Sequence, residues 1–331
     1  MVFGIFGEFT EFTVKTPRPV SESRIALILD EMIDNRRRKY RPLKLKSGVT
    51  VQLGEHVLEN NPDILRDLEH DTSACLSVLP ASVKRLVQRT TIWLNDTYSY
   101  GKISEPKIVR HSTTHHFAGW LEQVRDNPLK AESIEIYSVA EYQRMRAHYN
   151  GCGLLLHELV HILHQKVLPG GLANSDVFEI WRIAQEGGKY NRVLRRDWAG
   201  RTEETDMAYG LINHKEFFAD MSVSYLADGY CEFDCKGSTQ MAKCSPPFLS
   251  QDVIQRVREE TKSHECCVCQ ALARTGKLGP NFTILPFCAK FFPFTRGQFK
   301  LYDPKAFNVF ARLWAYIEDW VDPESCGLKV I

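Results

Sequence analysis

The stretch Gly153-Leu154-Leu155-Leu156-His157-Glu158-Leu159-Val160-His161-Ile162-Leu163-His164 constrains this chain more than any other part of it. A run this apolar on every side reads as a helix buried in the core. On a helix, residues four apart project from one face, one turn above the other. His157 and His161 therefore stand where two imidazoles can reach a single zinc ion. Glu158 lies one step round the helix, outside the ligand position but within reach of a metal-activated water as general base. A core helix with two incidental histidines accounts for the leucines but leaves the polar triplet unexplained.

Two histidines leave zinc short of a ligand. One route to a third places a histidine shortly downstream, spaced H-E-x-x-H-x-x-G-x-x-H. Here His164 stands at the glycine position and Val167 at the histidine position, so that route is closed. The alternative is a glutamate on a later helix. Asn213-His214-Lys215-Glu216-Phe217-Phe218-Ala219-Asp220 offers one, and Glu216 begins a segment whose Met221, Val223, Tyr225 and Leu226 recur at roughly helical spacing. Asp220 falls one turn beyond Glu216 on the same face. That position suits a carboxylate accepting the free ring N–H of a ligating histidine.

Tyr209-Gly210 followed by Asn213 and Glu216-Phe217-Phe218-Ala219-Asp220 resembles the third-ligand segment of the zinc peptidases related to anthrax lethal factor, a branch of the gluzincins. The resemblance covers roughly Trp93 to Leu226, and its specific parts are the two motifs. It implies zinc held by His157, His161 and Glu216, with Glu158 as base and Tyr209 donating its hydroxyl to the oxyanion. It also implies peptide-bond hydrolysis and an α+β, zincin-like metallopeptidase domain. Phe291-Phe292-Pro293-Phe294-Thr295-Arg296, then Asp303-Pro304 and a helix containing Trp314, resembles the close of smaller proteins with the same zinc motifs. The toxin's receptor-binding and translocation parts have no counterpart in this chain. The competing function class is a non-catalytic zinc-containing binding or scaffold protein. A closed structural site would need four protein ligands and no acid beside the first histidine.

With 331 residues, 44% of them hydrophobic, the chain suffices for one large or two ordinary domains. We expect a mostly helical accessory region over 1–89 and the catalytic domain over 90–331, interrupted by a Cys-rich insertion at about 230–290. Lys and Arg number 42 against 41 Asp and Glu, so no global field favours nucleic acid, and the expected partner is a peptide or protein substrate. No apolar run is long enough to span a bilayer. Phe3, Phe6, Phe9 and Phe12 are interrupted by Glu8 and Glu11 without a basic start, which does not make a signal peptide. The cysteines and the sequons at Asn95 and Asn281 favour secretion instead, and the compartment stays open.

Several local expectations can be set against the structure. Ser21 to Asn35 has helical spacing and runs into Arg36 to Arg41, a basic run that reads as a solvated, poorly ordered connector rather than a polyanion patch. A strand or hairpin arm is expected over Lys46 to Leu53, and helices after Asn61-Pro62-Asp63 and over Ser82 to Gln88. Thr91 to Leu94 and Ser133 to Tyr137 read as strands, the latter half-buried by its alternation. His111, His115 and His116, between these strands, read first as surface or hydrogen-bonded residues, with a place at the border of the cleft as the alternative. Asn150-Gly151 and Pro169-Gly170-Gly171 bracket the metal helix. In the insertion, Cys231, Cys235, Cys244, His264, Cys266, Cys267, Cys269 and Cys288 predict either disulfides or a second, structural zinc.

Overall fold

A five-stranded mixed sheet carries one wall of the site. The computed structural model describes residues 31–197, 202, 204–227 and 287–326. In sequence, β1 (Tyr40–Lys44) and β2 (Thr50–Gly54) form an antiparallel hairpin, with Gly48 at a φ of 89° in its turn. The short α1 (Val57–Asn60), then α2 (Ile64–Val78) and α3 (Ala81–Arg89), lead to β3 (Ile92–Leu94). The hairpin β4 (Tyr98–Lys102) and β5 (Glu105–Val109) stands apart from the main sheet, which resumes with β6 (Ser112–His115) and, after α4 (Gly119–Gln123), β7 (Ser133–Ile136). Strand order is β1-β2-β3-β7-β6, with β2, β3 and β7 parallel and the edge strand β6 antiparallel to β7.

Helices follow: α5 (Val139–Met145), the metal-motif helix α6 (Gly153–Lys166) and α7 (Ser175–Gly187). After the β8 (Val193–Arg195) and β9 (Glu204–Asp206) hairpin come α8 (His214–Leu226), α9 (Arg296–Tyr302) and α10 (Pro304–Asp319). The architecture is mixed helix and strand, in line with α+β. No helix among the described residues is long and apolar enough to cross a membrane.

The core lies between the sheet and α6. Val51, Leu53, Ile92, Leu94, Ile134 and Ile136 meet Leu155, Leu156, Leu159, Val160 and Leu163, with Leu68 and Cys75 of α2 closing the side. Each fully buried aliphatic side chain contributes roughly 1.5–3 kcal/mol. On the far side α10 backs α8: Phe218 stacks on Phe310 at 5.4 Å, and the Trp314 indole donates to Ser222 Oγ at 3.1 Å. Asp71, buried in α2, accepts from Tyr142 OH and Arg146 Nε at 2.7 Å each, fastening α2 to the segment that leads into α6.

Five sequence expectations change here. The sheet runs across residue 90: β2 pairs with β3, and residues 40–89 supply a strand hairpin as well as helices. The basic run is ordered, because Arg38 donates to Asn35 Oδ1 and Thr97 O at 2.7 Å and lies 5.0 Å over the Tyr98 ring, while Tyr40 begins β1. Strand β7 is buried on both faces, since its polar residues enter a network of their own. The Asn95 side chain is buried, donating to Glu135 Oε1 at 2.8 Å and accepting from Tyr40 OH at 2.7 Å, so this sequon offers no acceptor in the folded protein. Of the helix expected over Ser21 to Asn35, residues 21–30 lie outside the described residues; Met32 forms a bridge to Lys102 and Asn35–Arg37 is a 3-10 turn. Seven of the eight insertion candidates, Cys231, Cys235, Cys244, His264, Cys266, Cys267 and Cys269, also lie outside them, as does Asn281. Cys288 is described and buried.

Candidate metal centre

Local sequence sets each half of the site. Asn150 and Gly151 turn the chain at φ 53° and 123°, and α6 starts at Gly153, where a Cβ would come within 2.9 Å of Tyr149 Cβ and 3.0 Å of the Cys288 carbonyl oxygen. Only glycine permits that approach. Helix α8 begins at a side-chain cap, Asn213 Oδ1 accepting from the backbone N–H groups of Lys215 and Glu216 at 3.0 and 3.1 Å. The cap fixes Glu216 in the first turn, facing α6. Tyr209 heads the 3-10 turn before it, and Gly210 lets that turn lie on α8, since a Cβ there would be 3.0 Å from Phe217 Cα.

Packing α8 on α6 brings His157, His161 and Glu216 together as a group able to hold a metal ion. Glu216 Oε2 lies 3.0 Å from His157 Nε2 and 3.2 Å from His161 Nε2, and the two nitrogens are 3.2 Å apart. A tetrahedral zinc with bonds of about 2.0–2.2 Å needs donor atoms roughly 3.3–3.5 Å apart, so the triangle fits with little adjustment. Two imidazole nitrogens turned toward each other and toward one carboxylate oxygen are arranged as donors to a common ion. Behind them, Asp220 Oδ1 stands 3.0 Å from His157 Nδ1, accepting its proton and leaving the Nε2 lone pair for the centre. Burial pulls the Glu216 carboxyl upward, but the two imidazoles outweigh it and hold the group well below the usual carboxylate range. For His157, burial lowers the pKa while Asp220 and Glu216 raise it well above its ordinary value in the metal-free protein.

Glu158 is outside the ligand triangle and buried against the edge strand. Thr114 Oγ1 of β6 lies 2.8 Å from Glu158 Oε2 and 2.9 Å from its carbonyl oxygen, so one hydroxyl proton serves two acceptors. His157, Glu158, His161, Glu216 and Tyr209 all line one cleft of about 530 Å³, floored by α6 and α8 and flanked by β6. Tyr209 is 43% exposed, with its ring 6.1 Å from that of His157. Burial, together with Glu216, Glu158 and Asp220, keeps its hydroxyl protonated by pushing its pKa upward.

The three histidines ahead of β7 divide. His111 and His116 line the cleft. His115 turns inward, its Nε2 2.7 Å from Glu135 Oε2. Gln165 Nε2 donates to the His116 carbonyl at 3.0 Å, so Gln165 Oε1 must accept from His116 Nδ1–H at 2.9 Å, and burial pushes the His116 pKa down to about 4. His116 is thus a neutral ring with a determined tautomer. His164 is buried, neither ring nitrogen having a hydrogen-bond partner among the described residues, and burial takes its pKa down to about 3.

No family model matches this chain, and neither a curated protein nor a solved structure does. Function has to be read from the site.

Sequence reasoning missed Thr114 and the network behind β6. Lys130, wholly buried, places Nζ 2.9 Å from Asp126 Oδ2 and 2.5 Å from Glu135 Oε1, inside a cage of the Tyr40, Trp93 and Tyr98 rings. Burial lowers the ammonium pKa, but Glu135, Tyr40 and Asp126 overcome it and the net shift is upward. Through His115 and Glu135 this network sets the β6–β7 pair that carries Thr114. Ser112-Thr113-Thr114-His115 held a strand signal in its β-branched residues; Lys130 held none, since a lone lysine on a turn reads as surface.

Proposed function

We propose that this protein is a zinc-dependent metallopeptidase of zincin-like fold with a gluzincin ligand set. The observation that carries the reading is the meeting of His157, His161 and Glu216 at the floor of an open cleft beside an acid, Glu158, that is not one of them. Three N and O ligands with an adjacent carboxylate outside the ligand set are the requirements of a catalytic zinc site, whereas a closed structural site takes four protein ligands. Among the described residues no fourth His, Cys, Asp or Glu joins the group, which weighs against a scaffold role.

A zinc ion bound there supplies Lewis acidity, polarising a peptide carbonyl and making water a nucleophile near neutral pH. His157, His161 and Glu216 would hold it, and Asp220 keeps His157 in the ligating tautomer. Glu158 takes the proton of the attacking water and returns it to the leaving amine. Tyr209, protonated and on the cleft wall, donates to the oxygen on which negative charge develops. Helix and strand hold these groups in place before substrate arrives, which limits reorganisation during the reaction.

The deciding experiment compares the zinc-loaded protein with Glu158→Gln on a peptide library. The amide preserves shape but cannot act as base, so zinc content should hold while hydrolysis drops on the order of 100- to 10,000-fold. Undiminished turnover in the metal-replete variant would remove Glu158 from the mechanism.

A further inference from the structure

The charges lining the cleft bear on what enters it. Outside the metal centre the lining holds three cations, Arg110 ahead of β6, Lys215 on α8 and Lys290 after the insertion. The lining's other carboxylate, Glu141, is already engaged by Arg144, whose Nε donates to it at 3.0 Å. Lys290 is the most telling of the three. Its segment is tied down by Cys288 N–H donating to the Tyr149 carbonyl at 2.9 Å, Arg196 N–H to the Lys290 carbonyl at 2.9 Å, and Ala289 N–H to the Phe294 carbonyl at 3.0 Å. The ammonium is half-buried, lies 5.3 Å over the Phe291 ring, and has no ion pair or hydrogen bond among the described residues. Burial pushes its pKa down, and the acid acting on it most strongly, Asp220, is committed to His157. Lys215 likewise has no counter-ion among the described residues and acts electrostatically on His116 and His164.

A cation held partly out of water without a counter-ion has lost part of its hydration, which an incoming carboxylate would offset. We propose that Lys290 receives a carboxylate of the bound peptide, so that the cleft selects peptides bearing Asp, Glu or a free C-terminus close to the scissile bond, with Lys215 favouring a second negative charge. This rests on the peptidase reading for the bond cut, but the charge preference is a property of binding. A basic peptide would instead meet like charge at Arg110, Lys215 and Lys290, which disfavours it.

The test uses the zinc-loaded full chain and sets of peptides that differ only in Glu against Gln at each position around the cut, each made as free acid and as C-terminal amide. Two readouts are taken: kcat/KM on the parent protein, and fluorescence-anisotropy binding to Glu158→Gln. A charge-assisted contact in a partly buried site predicts roughly a 10- to 100-fold preference for one of the carboxylate forms, weakening as salt is added. The Glu/Gln and acid/amide comparisons say whether the side chain or the terminus supplies it. Lys290→Gln should collapse the ratio and Lys290→Arg retain most of it. A ratio taken within one variant is independent of how much of that variant is folded. Equal handling of charged and uncharged peptides in both readouts overturns the inference, whether or not hydrolysis is seen, as does a ratio indifferent to Lys290→Gln. Lys290-dependent binding of acidic peptides without any hydrolysis would uphold it while removing the peptidase reading.

Discussion

Replacing Asp220 with alanine asks whether the proposed metal centre depends on a residue outside its ligand set. The carboxylate is 5% exposed and its Oδ1 is 3.0 Å from His157 Nδ1. Without it the His157 ring can rotate, and its proton can sit on Nε2, the atom 3.0 Å from Glu216 Oε2 that the metal needs. Loss of such a partner lowers affinity roughly 10- to 100-fold, or about 1.4–2.8 kcal/mol. Asp220→Asn keeps an oxygen of the same shape and should fall at the small end. The dependence on pH is more discriminating. In the metal-free protein His157 has a raised pKa, so its ring is protonated at neutral pH and zinc must displace that proton. Parent affinity therefore rises with pH by about tenfold per unit until the raised pKa is passed. Asp220→Ala removes one of the two carboxylates that raise it, so the variant reaches its plateau at lower pH. The gap between the two proteins should widen as pH increases. Competition titrations against a chromophoric zinc chelator across the neutral range measure this directly, with circular dichroism confirming that both proteins are folded. Equal affinities, or a gap independent of pH, would refute the assigned role.

Three further expectations follow from the same geometry. Glu216→Ala removes a ligand, so zinc content should fall together with activity; tight stoichiometric zinc in that variant would mean that the third ligand is another residue. Tyr209→Phe deletes the hydroxyl proposed to stabilise developing charge and should slow turnover roughly 100- to 1,000-fold with zinc retained; a change in KM alone would reassign Tyr209 to ground-state binding. Lys130→Met strands the carboxylates of Asp126 and Glu135, both wholly buried. Breaking such a network costs about 3–5 kcal/mol, or roughly 4–7 °C in thermal midpoint for a chain of 331 residues. An unshifted midpoint by calorimetry would show that the ammonium is not what balances those charges.

Much of the candidate centre is legible in the chain because its parts are local. The i, i+4 spacing of His157 and His161, the cap at Asn213 that sets Glu216, and the turn from Glu216 to Asp220 each lie within a few residues. Helical geometry converts that spacing into direction whatever surrounds it. The helices after Asn61 and over Ser82 to Gln88 were legible for the same reason, as were the turns on either side of α6. What only tertiary structure decided spans long separations. Glu216 meets His157 across 59 residues, and Thr114 meets Glu158 across 44. Both contacts depend on how α8 and β6 pack against α6, which no short window records. The same holds for the hairpin of residues 40–54 joining the sheet, for Lys130 entering an aromatic cage, and for Lys290 reaching the cleft from beyond the insertion. In each case the outcome depends on segments distant in sequence packing together, and sequence periodicity reports faces of elements rather than pairings between them.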